Sequence, residues 1–231
     1  MNTEIAADLH IHTTGSDGTD SFDNRLKQAR ERGLNSIAIT DHDMIINQLD
    51  AGSANYEDLT VVTGVEIRAD LFNTKIELLG YFVDPDNNRL KNVLQEARQH
   101  RMKRNRKLVA QLNEIANLNI EYDDLQASIQ GEIGRPHLAK ILVEQGCANS
   151  ISEAFSDYLA EGGDCFVPMK RIPCKEVIEA IQTAGGIASL AHPGRIRSGC
   201  IPTIISEVID YGLAAIETWY PYQDTALGVV D

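Results

Sequence analysis

Two histidines one residue apart, His10 and His12, close a short apolar run at residues 6–12. In a strand, positions i and i+2 share a face, so both imidazoles would look at one point. Three further apolar runs end on the same kind of chemistry. Residues 36–40 lead into Asp41-His42-Asp43, residues 59–63 into Gly64-Val65-Glu66, and residues 187–191 into His192-Pro193. Asp17, in the loop at 15–19, can swing back over a strand end. Glu66 has two oxygens and can bridge two ions. Imidazole mixed with carboxylate suits Zn, Mn or Fe, whereas an all-oxygen set favours Mg or Ca. Hard ligands at the ends of four strands therefore point to a metal-centred active site.

Two or three divalent ions about 3.5–4 Å apart would clamp a phosphoryl group and generate hydroxide at neutral pH. The substrate's other oxygens then need cations. Arg135 and His137, in Gly134-Arg135-Pro136-His137, and Arg195, in His192-Pro193-Gly194-Arg195, are the candidates. Arg can hold phosphate with two parallel hydrogen bonds. Asp41, beside His42, joins the catalytic candidates; a plain helix cap is the other reading of its segment. Residues 98–107 carry six of the 21 basic residues and no acid. They are either a solvated helix face or a patch that attracts phosphate. His100, inside this segment, is read as a solvated helix residue.

Positioning these residues requires strands that alternate with helices. Strands are expected at 6–12, 36–40, 59–67 and 75–83, with helices at 21–32 and 47–56, Ser21 capping the first. This order implies parallel strands with right-handed crossovers. Residues 89–118 then read as one long helix, followed by a helix opening at Pro136 and another at Ser150. With no convincing strand between 87 and 163, that stretch is expected to be a helical insertion subdomain. Residues 1–86 and 164–231 would form the barrel, with strands at 166–169, 187–191 and 213–220 and helices at 173–184 and 202–211. A parallel α/β barrel places chemistry at the C-terminal strand ends; an open doubly wound sheet is the alternative.

The net charge of −13 opposes nonspecific binding to duplex DNA. No apolar run reaches the roughly 18 residues of a membrane span, and no signal peptide is visible. Four scattered cysteines without a C-x-x-C pair read as free thiols of a cytoplasmic protein. The expected ligand is a small phosphorylated molecule.

Residues 8–19, Ile39–Asp43, Gly64–Ile67 and Leu190–Arg195 together resemble the PHP (polymerase and histidinol phosphatase) metallophosphoesterases. Residues 134–139, 153–159 and 184–188 look like the subgroup of nucleoside 3′,5′-bisphosphate phosphatases and 5′→3′ exoribonucleases acting on short RNA. The resemblance implies a distorted (β/α)7 TIM-like barrel with two or three metals. It places His10, His12 and Glu66 on one ion, Glu66 and His192 on a second, and Asp17 and His42 on a third. Arg135, His137 and Arg195 would fall near the substrate phosphate. The sequence departs from the family twice. Glu77 stands where the subgroup usually has a histidine ligand. The terminal Asp-x-His of the family is absent, and Pro221-Tyr222-Gln223 replaces a common Pro-Arg-His. The expectation is a chain that lacks the C-terminal part of the barrel or carries a weakened centre. The competing functions are a metal- or nucleotide-binding remnant without turnover and an amidohydrolase-type hydrolase; the Thr40–Asp43 segment argues against the latter.

Overall fold

A computed structural model describes residues 6–129, 131–196 and 201–220. Strands β1 (Ala7–Ile11), β2 (Ser36–Ile39) and the first part of β4 (Leu59–Leu71) run parallel, with Ser36 opposite Ala7 on one side and Thr60 on the other. Helix α1 (Phe22–Glu31) is the crossover between β1 and β2. The Ser21 hydroxyl accepts from the Asn24 amide at 3.3 Å, satisfying one of the helix's orphan donors, and Phe22, Leu26 and Ala29 are buried beneath it.

The parallel pattern then stops. β4 turns through Phe72-Asn73, both at positive φ (52° and 61°), into β5 (Thr74–Tyr81). Two such residues make the turn whose twist matches an antiparallel hairpin. β5 pairs antiparallel with β7 (Ile187–Leu190), and β7 parallel with β8 (Ala215–Ile216). The order is β1-β2-β4-β5-β7-β8, with β3 (Ser53–Tyr56) and β6 (Ile172–Pro173) as side pairings on β4. The expected all-parallel order of the strands is therefore corrected, since β4–β5 and β5–β7 are antiparallel. The sheet is mixed and curls as a half-barrel, and no ladder joins β1 to β8 among the described residues.

Two local expectations also give way. The helix expected at 47–56 is replaced by β3, because Gly52 at φ +81° breaks any helix and Tyr56 pairs directly with Leu59. Residues 166–169 are irregular, and the short pairing on β4 comes later, at Ile172. The C-terminal strand is two residues long rather than eight.

Among the described residues between 88 and 163 every regular element is helical: α2 (Asn88–Ile115), α3 (Tyr122–Ser128), α4 (Arg135–Glu144) and α5 (Ile151–Ala154), which runs into a π-turn at Phe155–Leu159. α2 belongs to two cores. Its first half buries Leu90, Val93, Leu94 and Ala97 with α6 (Cys174–Thr183) and the sheet. Its second half buries Leu108, Val109 and Leu112 with Leu138, Leu142 and Leu159. Each fully buried leucine is worth roughly 2 kcal/mol, so both docks hold the same rod. The middle of that rod buries Arg101, Arg104 and Asn105 instead. Helix α7 (Ile201–Asp210) covers the far end of the sheet through Ile204 and Val208. Cys147, Cys165 and Cys174 are free thiols; Cys200 and residues 221–223 lie outside the described residues. No helix of the described residues is long and apolar enough to cross a membrane.

Candidate metal centre

His10 and His12 leave β1 on one face, and their Nε2 atoms stand 3.1 Å apart. Glu66 lies under both, 1% exposed, at the point where β4 passes the end of β2. Its Oε2 is 3.4 Å from His10 Nε2, 3.2 Å from His12 Nε2 and 3.0 Å from His42 Nδ1. Its Oε1 is 2.9 Å from His192 Nε2. Four imidazoles from three strand ends thus surround a single carboxylate. Asp17 closes one side, 3.2 Å from His12 Nδ1 and 3.7 Å from His42 Nε2.

This arrangement suits cations. His42 Nδ1 is buried and, despite its 3.0 Å approach to Glu66, makes no aligned hydrogen bond. A buried imidazole nitrogen that comes this close to a carboxylate without hydrogen-bonding to it is what an ion between the two would satisfy. Among the described residues, four overlapping groups have ligand atoms within 4.8 Å: His10, His12 and Glu66; His10, His192 and Glu217; His12, Asp17 and His42; and His42, Glu66 and Glu77.

Glu217, just past β8, was absent from the sequence candidates. Its Oε1 lies 3.0 Å from His10 Nδ1 and its Oε2 accepts from the His192 amide at 2.6 Å. It therefore ties the two edges of the open sheet together and holds His192 at φ +27°, a costly conformation for a residue with a side chain. The signal was present: a carboxylate follows an apolar run, as at Glu66. Arg68 was also missed. It donates to Glu77 Oε1 through Nε (2.8 Å) and Nη2 (2.6 Å), while Lys75 approaches the other oxygen at 3.1 Å. Glu77 is thus shared between a cationic clamp and His192, 3.7 Å away.

The charges follow from these contacts. Burial opposes a charged His10, yet hydrogen bonds to Glu217 and Glu66 outweigh it and raise its pKa to about 9. Burial likewise opposes charge on His12, but Asp17 and Glu66 lift it to about 10. Glu66 is held well below the carboxylate range by His42 and the other imidazoles, against its own desolvation. Asp17 is lowered by His12 and His42 despite burial, and Glu77 is lowered chiefly by Arg68 despite burial. His42, fully desolvated, is pushed down and stays neutral.

Asp41 sits next to this set with its oxygens turned away from it. It accepts from the Thr13 amide (2.8 Å), the Thr13 hydroxyl (2.6 Å) and the Ser16 hydroxyl (2.5 Å). Ser16 Oγ in turn lies 3.3 Å from His12 Nδ1. Asp43, at φ +56°, is buried and clamped by Arg101 Nε and Nη2 at 2.9 and 2.6 Å. α2 thereby reaches the turn that carries His42.

Arg195 and Lys75 line a small cleft with Glu77 and His192. Arg135 opens α4, donates to the Leu159 carbonyl at 3.2 Å and stacks over Phe155. Burial, then Arg68, lowers its pKa to about 10. His137 Nδ1 accepts from the Gly134 amide at 2.9 Å, and burial lowers its pKa, leaving a neutral ring with its proton on Nε2. Gly134 and Gly131 let this loop approach Asp17 and Gly15: a Cβ on Gly131 would lie 2.1 Å from the Gly15 carbonyl oxygen. His100 stays apart on α2, 3.5 Å from Glu96.

Residues 8–167 match the PHP domain. The chain belongs to the PHP domain family. A 5′-3′ exoribonuclease of Haemophilus influenzae is 35% identical over 189 residues, spanning 81% of this PHP chain and 69% of the relative. The 5′-3′ exoribonuclease Rnm of Escherichia coli is 33% identical over 198 residues, spanning 84% and 67%. A 3′,5′-nucleoside bisphosphate phosphatase of Chromobacterium violaceum is 29% identical over 205 residues, spanning 87% and 71%. Among solved structures, a Bifidobacterium adolescentis protein assigned as a metal-dependent phosphoesterase superposes with a TM-score of 0.78 at 28% identity, covering 93% of this chain and 77% of the other. An amidohydrolase from Chromobacterium violaceum with bound sulfate and no metal also gives 0.78, at 26% identity, covering 91% and 75%.

Proposed function

We propose that this PHP chain is a metal-dependent phosphoesterase that hydrolyses phosphate esters of nucleotides, 3′,5′-bisphosphates or short RNA, on a distorted (β/α)7-type scaffold. The carrying observation is the ring of His10, His12, His42 and His192 around buried Glu66, with arginines beside it, in a chain whose relatives cleave such esters. His10, His12 and Glu66 would hold one ion, Glu66 and His192 with Glu217 a second, and Asp17 and His42 a third. Mixed imidazole and carboxylate donors favour Mn, Zn or Fe. Bound there, the ions would supply Lewis acidity, lowering the pKa of water and neutralising charge that develops on phosphoryl oxygens.

The chain's own residues do the rest. Asp41 fixes the Thr13–Ser16 loop, and through Ser16 the orientation of His12; it acts as a positioning residue. Glu217 fixes His10 and the strained His192 backbone. Arg135 and Arg195 offer guanidinium donors to phosphoryl oxygens, and neutral His137 offers its Nε2–H. The helical stretch 87–163, as an insertion subdomain, carries Arg135 and His137. No compartment follows from these features beyond a chain without a membrane-crossing helix among the described residues.

A substrate panel tests this reading. Mn-loaded protein should release phosphate from adenosine 3′,5′-bisphosphate, or nucleotides from a short 5′-phosphorylated oligoribonucleotide, and a chelator should stop both. A dihydroorotate-type cyclic amide should be untouched. Hydrolysis of the amide without any attack on phosphate esters would overturn the proposal in favour of the amidohydrolase class.

A further inference from the structure

Glu77 is 5% exposed and follows Lys75 by two positions along β5, so the two side chains share a face. A histidine at this place would be neutral; a carboxylate buried this deeply needs counter-charge. Two cations supply it, and they hold it differently. Arg68, opposite Glu77 in the β4–β5 register, gives two hydrogen bonds to Oε1, and its own side chain is 11% exposed. Lys75 meets Oε2 alone, at 3.1 Å, with its side chain 42% exposed. Oε1 is therefore fixed by a planar fork, while Oε2 is held by one flexible ammonium that reaches solvent.

Oε2 is also the oxygen that faces the imidazoles. It lies 3.7 Å from His192 Nε2, which is itself 2.9 Å from Glu66 Oε1. His42, Glu66 and Glu77 place ligand atoms within 4.8 Å of one another. An ion drawn to that point needs Oε2, and Lys75 already neutralises it. No second acid draws Lys75 away: its cross-strand neighbour Asp70 is paired with Arg171 at 2.7 Å. Lys75 lines a cleft with His192 and Arg195, so an ammonium leaving Oε2 passes into that cleft and to water.

We propose that Lys75 is a built-in competitor for metal. Its ammonium holds the Glu77 oxygen that an ion would use, and it withdraws when the ion binds. Glu77 is then a ligand in the loaded protein and an ion-pair partner in the metal-free one, and Lys75 sets how tightly that ion is held. This rests on the metal-centre part of the phosphoesterase reading and is independent of which ester is cleaved.

The test is binding, without turnover. Mn is titrated calorimetrically into chelator-treated wild type and Lys75→Met in one buffer. Lys75→Met should tighten at least one binding step by roughly 3- to 10-fold, the range of a half-exposed, charge-assisted contact. Loss of any nearby positive charge favours a cation, so the substitution is repeated in Glu77→Gln paired with Arg68→Met, where the carboxylate is gone. There it should change affinity by less than about twofold. Melting gives a second readout. Without metal, Lys75→Met should melt roughly 2–4 °C below wild type, because buried Glu77 has lost a cation; with saturating Mn it should melt at or above wild type. Tightening below about threefold, equal tightening in both backgrounds, or a melting temperature lowered equally with and without Mn would overturn the proposal; the last makes Lys75 a purely structural partner of Glu77. Mn binding by wild type that ignores Lys75 removes the competitor and leaves the metal centre standing. Absence of Mn binding by both wild type and Lys75→Met removes both.

Discussion

Loading metal into this site should expel protons, and the structure says how many. His10 and His12 have pKa values of about 9 and about 10 because buried Glu66, Glu217 and Asp17 face them. In chelator-treated protein at pH 7, both rings are therefore charged. A metal binds neutral imidazole, so occupation of the His10–His12 group must release about two protons, and apparent affinity should rise about a hundredfold per pH unit between pH 7 and 8. Calorimetric titration with Mn in two buffers of different ionisation enthalpy counts those protons. The same shifts fix a stability trend. Both folded-state values are raised above the ordinary histidine value of 6.5, so the stabilisation is complete below about pH 6.5 and is lost as pH rises through about 9 to 10. The melting temperature of the chelator-treated chain should fall across that window, and that of the metal-loaded chain should not. Release of less than half a proton at pH 7 would refute the reasoning, because it would mean that the carboxylates do not hold protons on these rings.

Further predictions concern the supports. Asp41→Ala removes an acceptor of three hydrogen bonds from the buried Thr13–Ser16 loop and should cost about 3 kcal/mol in urea unfolding as well as metal affinity; a loss below about 1 kcal/mol would contradict its positioning role. Glu77→Gln takes the buried anion from half-buried Arg68 and should cost about 3 kcal/mol, while pairing it with Arg68→Met should restore most of the stability. Failure of the second substitution to rescue the first would show that Glu77 acts through something other than this clamp. Glu217→Gln should lower the His10 pKa, read by NMR titration, and an unshifted His10 would exclude Glu217 from its environment.

Most of the site's composition was legible because ligands sit where apolar runs end, and strand periodicity alone puts His10 and His12 on one face. The geometry brings His10, His12, Asp17, His42, Glu66, Glu77 and His192 together, and adds Glu217. Glu217 escaped notice because it is one of 34 acidic residues and depends on a two-residue strand whose pairing is long-range. Asp41 was read from its neighbour His42; the direction of its oxygens depends on Thr13 and Ser16, 28 and 25 residues earlier. The long helix α2 was legible from its apolar spacing, but its basic segment looked like solvent-facing charge. Burial of Arg101 and Arg104 comes from the barrel and helical cores meeting along one rod, which local periodicity does not record. The antiparallel β4–β5 hairpin was hidden by the expectation of crossovers: Phe72-Asn73 lacks the glycine that usually marks such a turn.

The central claim is that the Glu66-centred cluster is a metal centre that cleaves phosphate esters. Its most direct test is the initial rate of phosphate release from adenosine 3′,5′-bisphosphate by Mn-loaded wild type and Glu66→Ala, with bound metal counted in the same samples. The account predicts two or three ions on wild type, release that a chelator abolishes, and loss of both the ions and the rate, by about a thousandfold or more, in the variant. Undiminished release by Glu66→Ala, or a fully loaded wild type that releases no phosphate, would contradict it.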